Sequence, residues 1–438
     1  MSKIYTKRYL ANIVIEAQTP LKVGSSDIDM LQDAPVQKDW NGLPMILGTS
    51  IAGVLRKTFD KIFADEVFGD EGNDVEAQGS RIIVSNALLC DKDMQVLEHL
   101  ETTKSSFLKY FDSLPIREHV KITDKGVADS KNSGKFDEEV VYKGTRFKFR
   151  LELIGNENDV DNFQKILQTI NADVFRLGGG TTKGFGDVKV LHDLSSYGEM
   201  DVNSQAYRDA SSSLNTRYAE AFTQEKRKLS HSTYILAIKP DDFFMFGSGF
   251  GEGDIKMTPT YEEMIDYSSE KGWGKKQILI PGSSIKGVLS HRTAFYYNSY
   301  LLKEQKDYKK VGEENEAVKA IFGHKKELAK DGETELGQKG KVLISDCFKT
   351  DEGNVKVFDH VAIDRFTGGA IDSALFNEQT IADTREYTIE ILLDESNIDE
   401  EMIKAFESAL TDITTGMLAL GGATTKGHGV FTGNWSKS

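Results

Sequence analysis

Only two cysteines, Cys90 and Cys347, occur in 438 residues, and neither lies in a CxxC or Cys/His cluster. That excludes a disulfide framework and a zinc module, and leaves both as expected buried packing residues. No apolar run approaches the ~18 residues a membrane span needs. The opening MSKIYTKRYLANIVIEAQTP alternates like a strand and lacks the apolar core and cleavage site of a signal peptide. A soluble, cytoplasmic protein with no membrane partner is therefore expected. Nowhere is Gly-Lys followed by Ser or Thr, which excludes a nucleotide-binding P-loop. Positive charge is also scarce: 54 Lys and Arg stand against 69 Asp and Glu, for a net charge of -15. Free-standing nucleic-acid binders usually carry a basic excess that displaces counterions, so that class is disfavoured. Local potential is a separate matter. The acids cluster in stretches such as DEVFGDEGNDVE (65–76) and LLDESNIDEEM (392–402), while Lys183, Lys286 and Lys426 recur beside glycines. A basic groove on an acidic body is compatible with this pattern.

Glycine is plentiful where it matters. LGGGTTKGFGDV (177–188) returns as LGGATTKGHGVF (420–431). Four further pairs fall in the same order: LPMILGTSIAGVLRKTF with ILIPGSSIKGVLSHRTAF, VFGDEG with IFGHKK, RIIVSNALL with KVLISDCF, and HVKITDKGVADSKNSGKFDEEVV with HVAIDRFTGGAIDSALFNEQTI. Ordered self-similarity of this extent is the mark of duplication. The reading is two domains, 1–195 and 230–438, joined by a polar, serine-rich linker at 196–229 that holds at most a short helix. With 39% hydrophobic residues, a chain of this length can give each domain its own core.

Periodicity orders the elements within each half. A strand (YLANIVIEAQ; TYILAIKP) leads through a glycine-containing loop to a helix (SIAGVLRKTFDKIF; SIKGVLSHRTAFYYNSYLL), for which Ser50 and Ser284 are the expected N-caps. A strand, a long polar excursion and a further strand (RFKFRLELIG; REYTIEILLD) follow, then a second helix, the glycine loop and a last strand. This is the βαββαβ order of a ferredoxin-like α+β domain, present twice.

The C-terminal loop of each half, with Gly178, Gly184 and Gly186 or Gly421, Gly427 and Gly429, together with PGSSIKGVLSHR and the His-Val-x-Ile-Asp segment, resembles the CRISPR-associated RAMP superfamily. The similarity is greatest to the backbone subunits of type III effector complexes, and it covers nearly the whole chain. The resemblance implies two RRM-like domains in tandem, each with an inserted thumb hairpin that intrudes on a guide–target duplex. Guide RNA, target RNA and other CRISPR effector subunits in a hetero-oligomeric complex are the implied partners.

Residue chemistry agrees with RNA binding without requiring it. Glycines let a phosphate approach backbone N–H groups, and Lys183 and Lys426 add charge beside Gly178 and Gly184 or Gly421 and Gly427. A plain tight turn is the alternative. At the first helix of each half, Thr49 and Ser50, or Ser283 and Ser284, lie where the helix dipole favours an anion. Arg56, Lys286 and Arg292 follow on the next turns, and simple capping is the competing explanation. The thumb segments 117–140 and 360–380 carry His119, Lys121, His360 and Arg365, with Phe136, Phe366, Leu375 and Phe376 as wedges against bases. One histidine per half, with no second in register, leaves His119 and His360 as RNA contacts or core residues rather than an acid–base pair.

Catalysis enters through the resemblance. In those subunits an aspartate just before a small residue and proline, in the loop ahead of the first helix, is required for metal-dependent cleavage of target RNA. Asp33, before Ala34 and Pro35, matches it. A carboxylate there suits a hydrated Mg²⁺ or another divalent ion that offsets charge on the phosphate. Asp27, Asp29 and Asp39 read as solvated loop acids. In the second half, aligning Pro259 with Pro35 puts Met257 at the aspartate position, leaving Asp254 as the nearest carboxylate, with Glu252 and Asp266 as weaker candidates. The expected function is thus a guide-RNA-binding backbone subunit with metal-dependent endoribonuclease activity. The alternatives are a non-catalytic RNA-binding scaffold and a guide-precursor endonuclease.

Overall fold

The axis of the first half is the strand Lys7–Ala17, which pairs antiparallel with Arg146–Gly155 so that Tyr9 faces Leu153 and Ile13 faces Phe149. The computed structural model describes every residue except 1–3, 25–34, 71–77, 124–125, 130–133, 250, 252, 305–309, 326, 329–333, 336 and 373. Val188–Val190 adds to the other edge of the axial strand, and Ile82–Val84 to the far side of Arg146–Gly155. The helix Val160–Ile170 buries Phe163, Ile166, Leu167 and Ile170, the one-sided spacing of a helix that lies on a sheet. Tyr9 meets Phe163 with ring centroids 5.5 Å apart.

The second half repeats the plan. Ser232–Pro240 lies between Tyr387–Leu393 and Phe431–Lys437, with Val342–Ile344 beyond Tyr387–Leu393, all antiparallel. Numbering the four core strands of each half along the chain, the sheet order is second, third, first, fourth in both. Each half is therefore an α+β domain with its own hydrophobic core. An antiparallel hairpin interrupts each domain between its second and third core strands: Ile116–Val120 with Lys135–Glu139, and Val355–His360 with Phe376–Ile381.

Three local expectations change. The helices do not begin at the serines. Leu47 and Pro281 are the N-cap residues, Gly48 and Gly282 open the helices, and Ser50 and Ser284 lie within the first turn. The free N–H of Gly48 donates instead to Asn86 Oδ1 (2.9 Å) and that of Gly282 to Asp346 Oδ1 (2.7 Å), so the cap arrives from a strand far along the chain. Secondly, the first helix of the first half stops at Arg56 and restarts at Lys61, because Asp60 accepts the N–H of Phe63 and caps a new helix. Its counterpart Gly282–Lys303 runs unbroken. Thirdly, the polar stretch 196–229 is not a loose tether. Its residues Ser196–Asp201 form a strand on the axial strand Lys7–Ala17, and Leu214, Tyr218 and Phe222 are buried. That strand covers backbone groups which would otherwise be an open sheet edge. The short helix expected there is Gln205–Arg208.

The halves are packed against each other. The segment after Pro259 inserts Ile265 and Tyr267 into the core of the first half, where the Tyr267 hydroxyl donates to Cys90 O (2.9 Å) and accepts the Arg146 N–H (3.2 Å). Deeper in the contact, Arg117 at the base of the first hairpin is buried between two carboxylates of the second half. It binds Glu262 Oε2 at 2.5 Å and also ion-pairs with Asp346. Burial opposes the guanidinium charge, but Asp346 and Glu262 hold Arg117 above its ordinary pKa. Beside them, Arg176 donates to Ser345 Oγ (2.7 Å).

Removing one member of a buried ion pair strands the other charge, at a cost of about 3–5 kcal/mol. Urea denaturation of Arg117→Leu is expected to show a loss of that order. Lys226→Leu, which removes the partner of the exposed Asp173, is expected to cost under about 1 kcal/mol. Equal effects would mean that Arg117 contributes no more than a surface pair.

Candidate nucleic-acid interface

Each hairpin closes onto the glycine loop of its own half through the same set of side chains. In the first half His119 stacks on Phe136 (centroids 5.1 Å, 18° between planes), and His119 Nε2 lies 3.4 Å from Glu138 Oε2. Lys22 also pairs with Glu138, and Lys183 from the glycine loop stands 5.5 Å above the Phe136 ring. In the second half His360 stacks on Phe376 (4.8 Å, 24°), and its Nε2 is 2.8 Å from Glu378 Oε1. Lys426 stands 4.6 Å above Phe376 and reaches Glu378 Oε2 at 3.4 Å. The hairpin register accounts for the match, since His119 faces Phe136 across one strand pair and His360 faces Phe376 across the other.

Neither glutamate was a sequence candidate, although both occupy the same place in FDEEVV and FNEQTI, two residues after the repeated phenylalanine. Each is buried, and a buried carboxylate needs cationic partners. The halves supply them differently. Lys22 of the first half is replaced by Met245, and Phe185 by His428, whose Nε2 lies 3.6 Å from Glu378 Oε1. The second half thus brings two histidines to one carboxylate, which corrects the expectation of a single histidine there. His428 is itself buried, so the two histidines are not presented together to solvent.

The predicted residues separate into two groups. Lys183 and Lys426 are exposed on the loop surface over the hairpin rings, and Thr49, Ser50, Lys121, Arg365, Gly421 and Gly427 are exposed as well. Half-buried Ser283 and Ser284 lie on the first turn of their helix, and half-buried His119 and His360 towards the loop end of each hairpin's strand pair. The others are engaged within the protein. Arg56 pairs with Asp65 at 2.8 Å, and Arg292 pairs with Asp412 and covers Phe295, so both brace their own domains. Lys286 Nζ donates to Thr182 Oγ1 (3.2 Å) and to Phe322 O (3.1 Å). Gly178 is buried. Gly184 is packed into the contact between the halves: a Cβ there would lie 1.9 Å from Asp346 Oδ1, and one on Gly282 would lie 2.8 Å from the Gly184 Cα. Gly427, its counterpart, has nothing within 4 Å of such a Cβ. The same loop therefore grips protein in the first half and faces outward in the second.

Asp33 lies outside the described residues, as do Asp27, Asp29 and Glu252. Asp39 is an Asx-turn residue whose Oδ1 accepts the N–H groups of Asn41 and Leu43. Asp266 does the same with Ser268, far from either hairpin cluster in the contact between the halves. Asp254 is exposed in a turn two residues before Lys256, whose N–H donates to Asn377 Oδ1 at 2.9 Å on the second hairpin. The bridge Gly24–Val36 has its counterpart in Gly247–Pro259. Counted from these bridges, Pro259 stands level with Val36, and Lys256 rather than Met257 takes the place of Asp33. Among the described residues no group of three or more His, Cys, Asp or Glu is arranged to hold a metal ion, and no helix is long and apolar enough to cross a membrane.

Burial alone would raise the Glu138 pKa, but contact with His119 and Lys22 lowers it to about 2, against 4.5 for an ordinary glutamate. A depressed folded-state value stabilises the fold above the unfolded-state pKa, and that contribution is lost as pH falls through the folded one. The stability difference between the wild type and Glu138→Gln is therefore expected to shrink as pH falls from 4.5 towards 2 in denaturant titrations. A constant difference over that range would rule out an ionised, paired Glu138.

A family model described as RAMP superfamily matches residues 14–189 and 274–432, one stretch in each half. No curated protein matches the chain at a significant level. Matched twice, in tandem, over more than half of its length, the chain belongs to the RAMP superfamily.

Proposed function

We propose that the protein is a backbone subunit of a type III CRISPR effector complex, in which two fused RAMP domains hold successive stretches of guide RNA and cleave the paired target RNA. The observation that carries this reading is the repeated cluster on the two hairpins. His119, Phe136, Glu138 and Lys183 recur as His360, Phe376, Glu378 and Lys426, and each cluster presents an exposed lysine over an aromatic face. Such a pairing suits a strand that offers a phosphate and a base edge side by side. A net charge of -15 fits a subunit whose neighbours in a hetero-oligomer carry part of the positive surface.

Cleavage is assigned to Asp33, with Asp254 as the second-half candidate. A lone loop carboxylate is compatible with Mg²⁺, which is commonly held by one or two carboxylates plus substrate phosphates and keeps much of its water. In this reading the ion would offset charge developing on the scissile phosphate. One observation favours a narrower role for the second half: Lys256 stands level with Asp33, and a lysine supplies no metal ligand. The second half then holds RNA and does not cut.

Replacing Lys183 and Lys426 together by alanine is expected to weaken RNA retention and to reduce the slope of log affinity against log salt by about 1 per lysine. Unchanged retention and slope would sink the phosphate-contact role. In reconstituted complexes, Asp33→Ala is expected to abolish one metal-dependent cut in the target without affecting assembly. Asp254→Ala erases a second cut if the second half is active and leaves the products unchanged if it is a holding copy. Cutting at every site by Asp33→Ala would show that Asp33 has no part in the chemistry.

A further inference from the structure

A cavity of about 220 Å³ opens in the first half between the glycine loop and the first helix. Gly178 and Gly179 line it together with the apolar Val23, Met45 and Val54, and Lys22 and Ser50 give it a polar rim. It is smaller than the ~300–1,000 Å³ typical of drug-sized sites, so it has room for a single ring system.

The second half shows what such a space accepts. Gly179 N donates to Lys22 O and Gly422 N to Met245 O, both at 2.7 Å, which makes Lys22 and Met245 equivalent and puts Phe246 in the place of Val23. The Phe246 ring is buried, and its Cε1 lies 3.4 Å from where a Cβ on Gly421 would be. No side chain stands at that distance from Gly178, where a Cβ would meet only the backbone of Lys22. Thus a planar aromatic ring fits against the glycine shelf, and the second half fills that position with its own side chain. The smaller Val23 leaves the same position open in the first half.

We propose that this first-half cavity receives one unstacked nucleobase of the bound RNA, and that Phe246 closes the equivalent site in the second half. The proposal rests on the RNA-binding role above. Size and shape select a planar ring. The rim suits a polar edge, because the exposed Ser50 hydroxyl can donate to it or accept from it, while Lys22 is already paired with Glu138. Lys22 also ties the cavity to the hairpin cluster through Glu138. A base in the cavity therefore lies next to the residues that would hold its backbone.

The test uses the reconstituted complex containing the full-length chain and RNA carrying 4-thiouridine at successive positions, with cross-links mapped to peptides and RNA retention measured on filters in parallel. The wild type is expected to cross-link at one position to the peptides around Val23 and Gly178. Val23→Phe is expected to lower that yield at least about tenfold, a difference of 1.4 kcal/mol in site occupancy, with retention nearly unchanged. Phe246→Val is expected to add a second cross-link, near Gly421. RNA retained normally without the first cross-link, or a cross-link unaffected by Val23→Phe with none added by Phe246→Val, would overturn the base site while leaving the RNA-binding role intact. Failure of the wild type to retain RNA would overturn both. Cross-linking by free 4-thiouridine monophosphate but not by RNA would show a mononucleotide site and overturn the assignment to the polymer.

Discussion

The carboxylate of Asp346 is the point on which the relation between the halves turns. One oxygen caps the helix that opens at Gly282, and the other receives Arg117 from the first hairpin. Gly184 of the first glycine loop lies so close to it that any side chain would collide. A single buried group thereby fixes a helix of the second half, a hairpin of the first and the loop between them. In the first half the equivalent residue is Asn86, which keeps the capping role through Oδ1 and is neutral. The charge needed to bind Arg117 exists only where the other half is present to use it.

That contact has a direction. The glycine loop of the first half meets the helix start of the second, while Gly427 in the loop of the second half has nothing within 4 Å of a Cβ placed on it. A head-to-tail relation of this kind joins unlike faces, and it leaves one unlike face exposed at each end. The two hairpin clusters consequently repeat along the molecule instead of facing one another across a two-fold axis. This is the arrangement a linear strand requires if it is to be held twice.

The large features were legible because they rest on local pattern. The alternation in YLANIVIEAQ and RFKFRLELIG, the helical spacing in VDNFQKILQTI and the duplicated glycine loops each announce an element without help from distant residues, and the elements stand where they were expected. What the sequence hid depends on long-range partners. Ser50 and Ser284 look like caps, but Asn86 and Asp346 do that work from about 40 and about 60 residues away in the chain. Glu138 and Glu378 were visible as repeated letters, yet their importance appears only when the hairpin folds back on the lysines and histidines. Arg117 and Glu262 are ordinary charges until the two halves close on them. The ion pairs of Arg56 and Arg292 with Asp65 and Asp412 of their own domains were hidden for the same reason.

The copies diverge around the clusters as well as in the first helix, which is broken in one half and continuous in the other. Lys22 against Met245, Phe185 against His428 and Val23 against Phe246 all lie in or against the glycine loops. The central claim is that two unequal copies of one RNA-holding cluster follow each other along a single strand. Hydroxyl-radical footprinting of RNA bound to the full-length chain tests it most directly. Two separate protected segments at a fixed spacing are predicted, with protection of one weakened by Lys183→Ala alone and of the other by Lys426→Ala alone. A single protected segment that responds equally to both substitutions would contradict it.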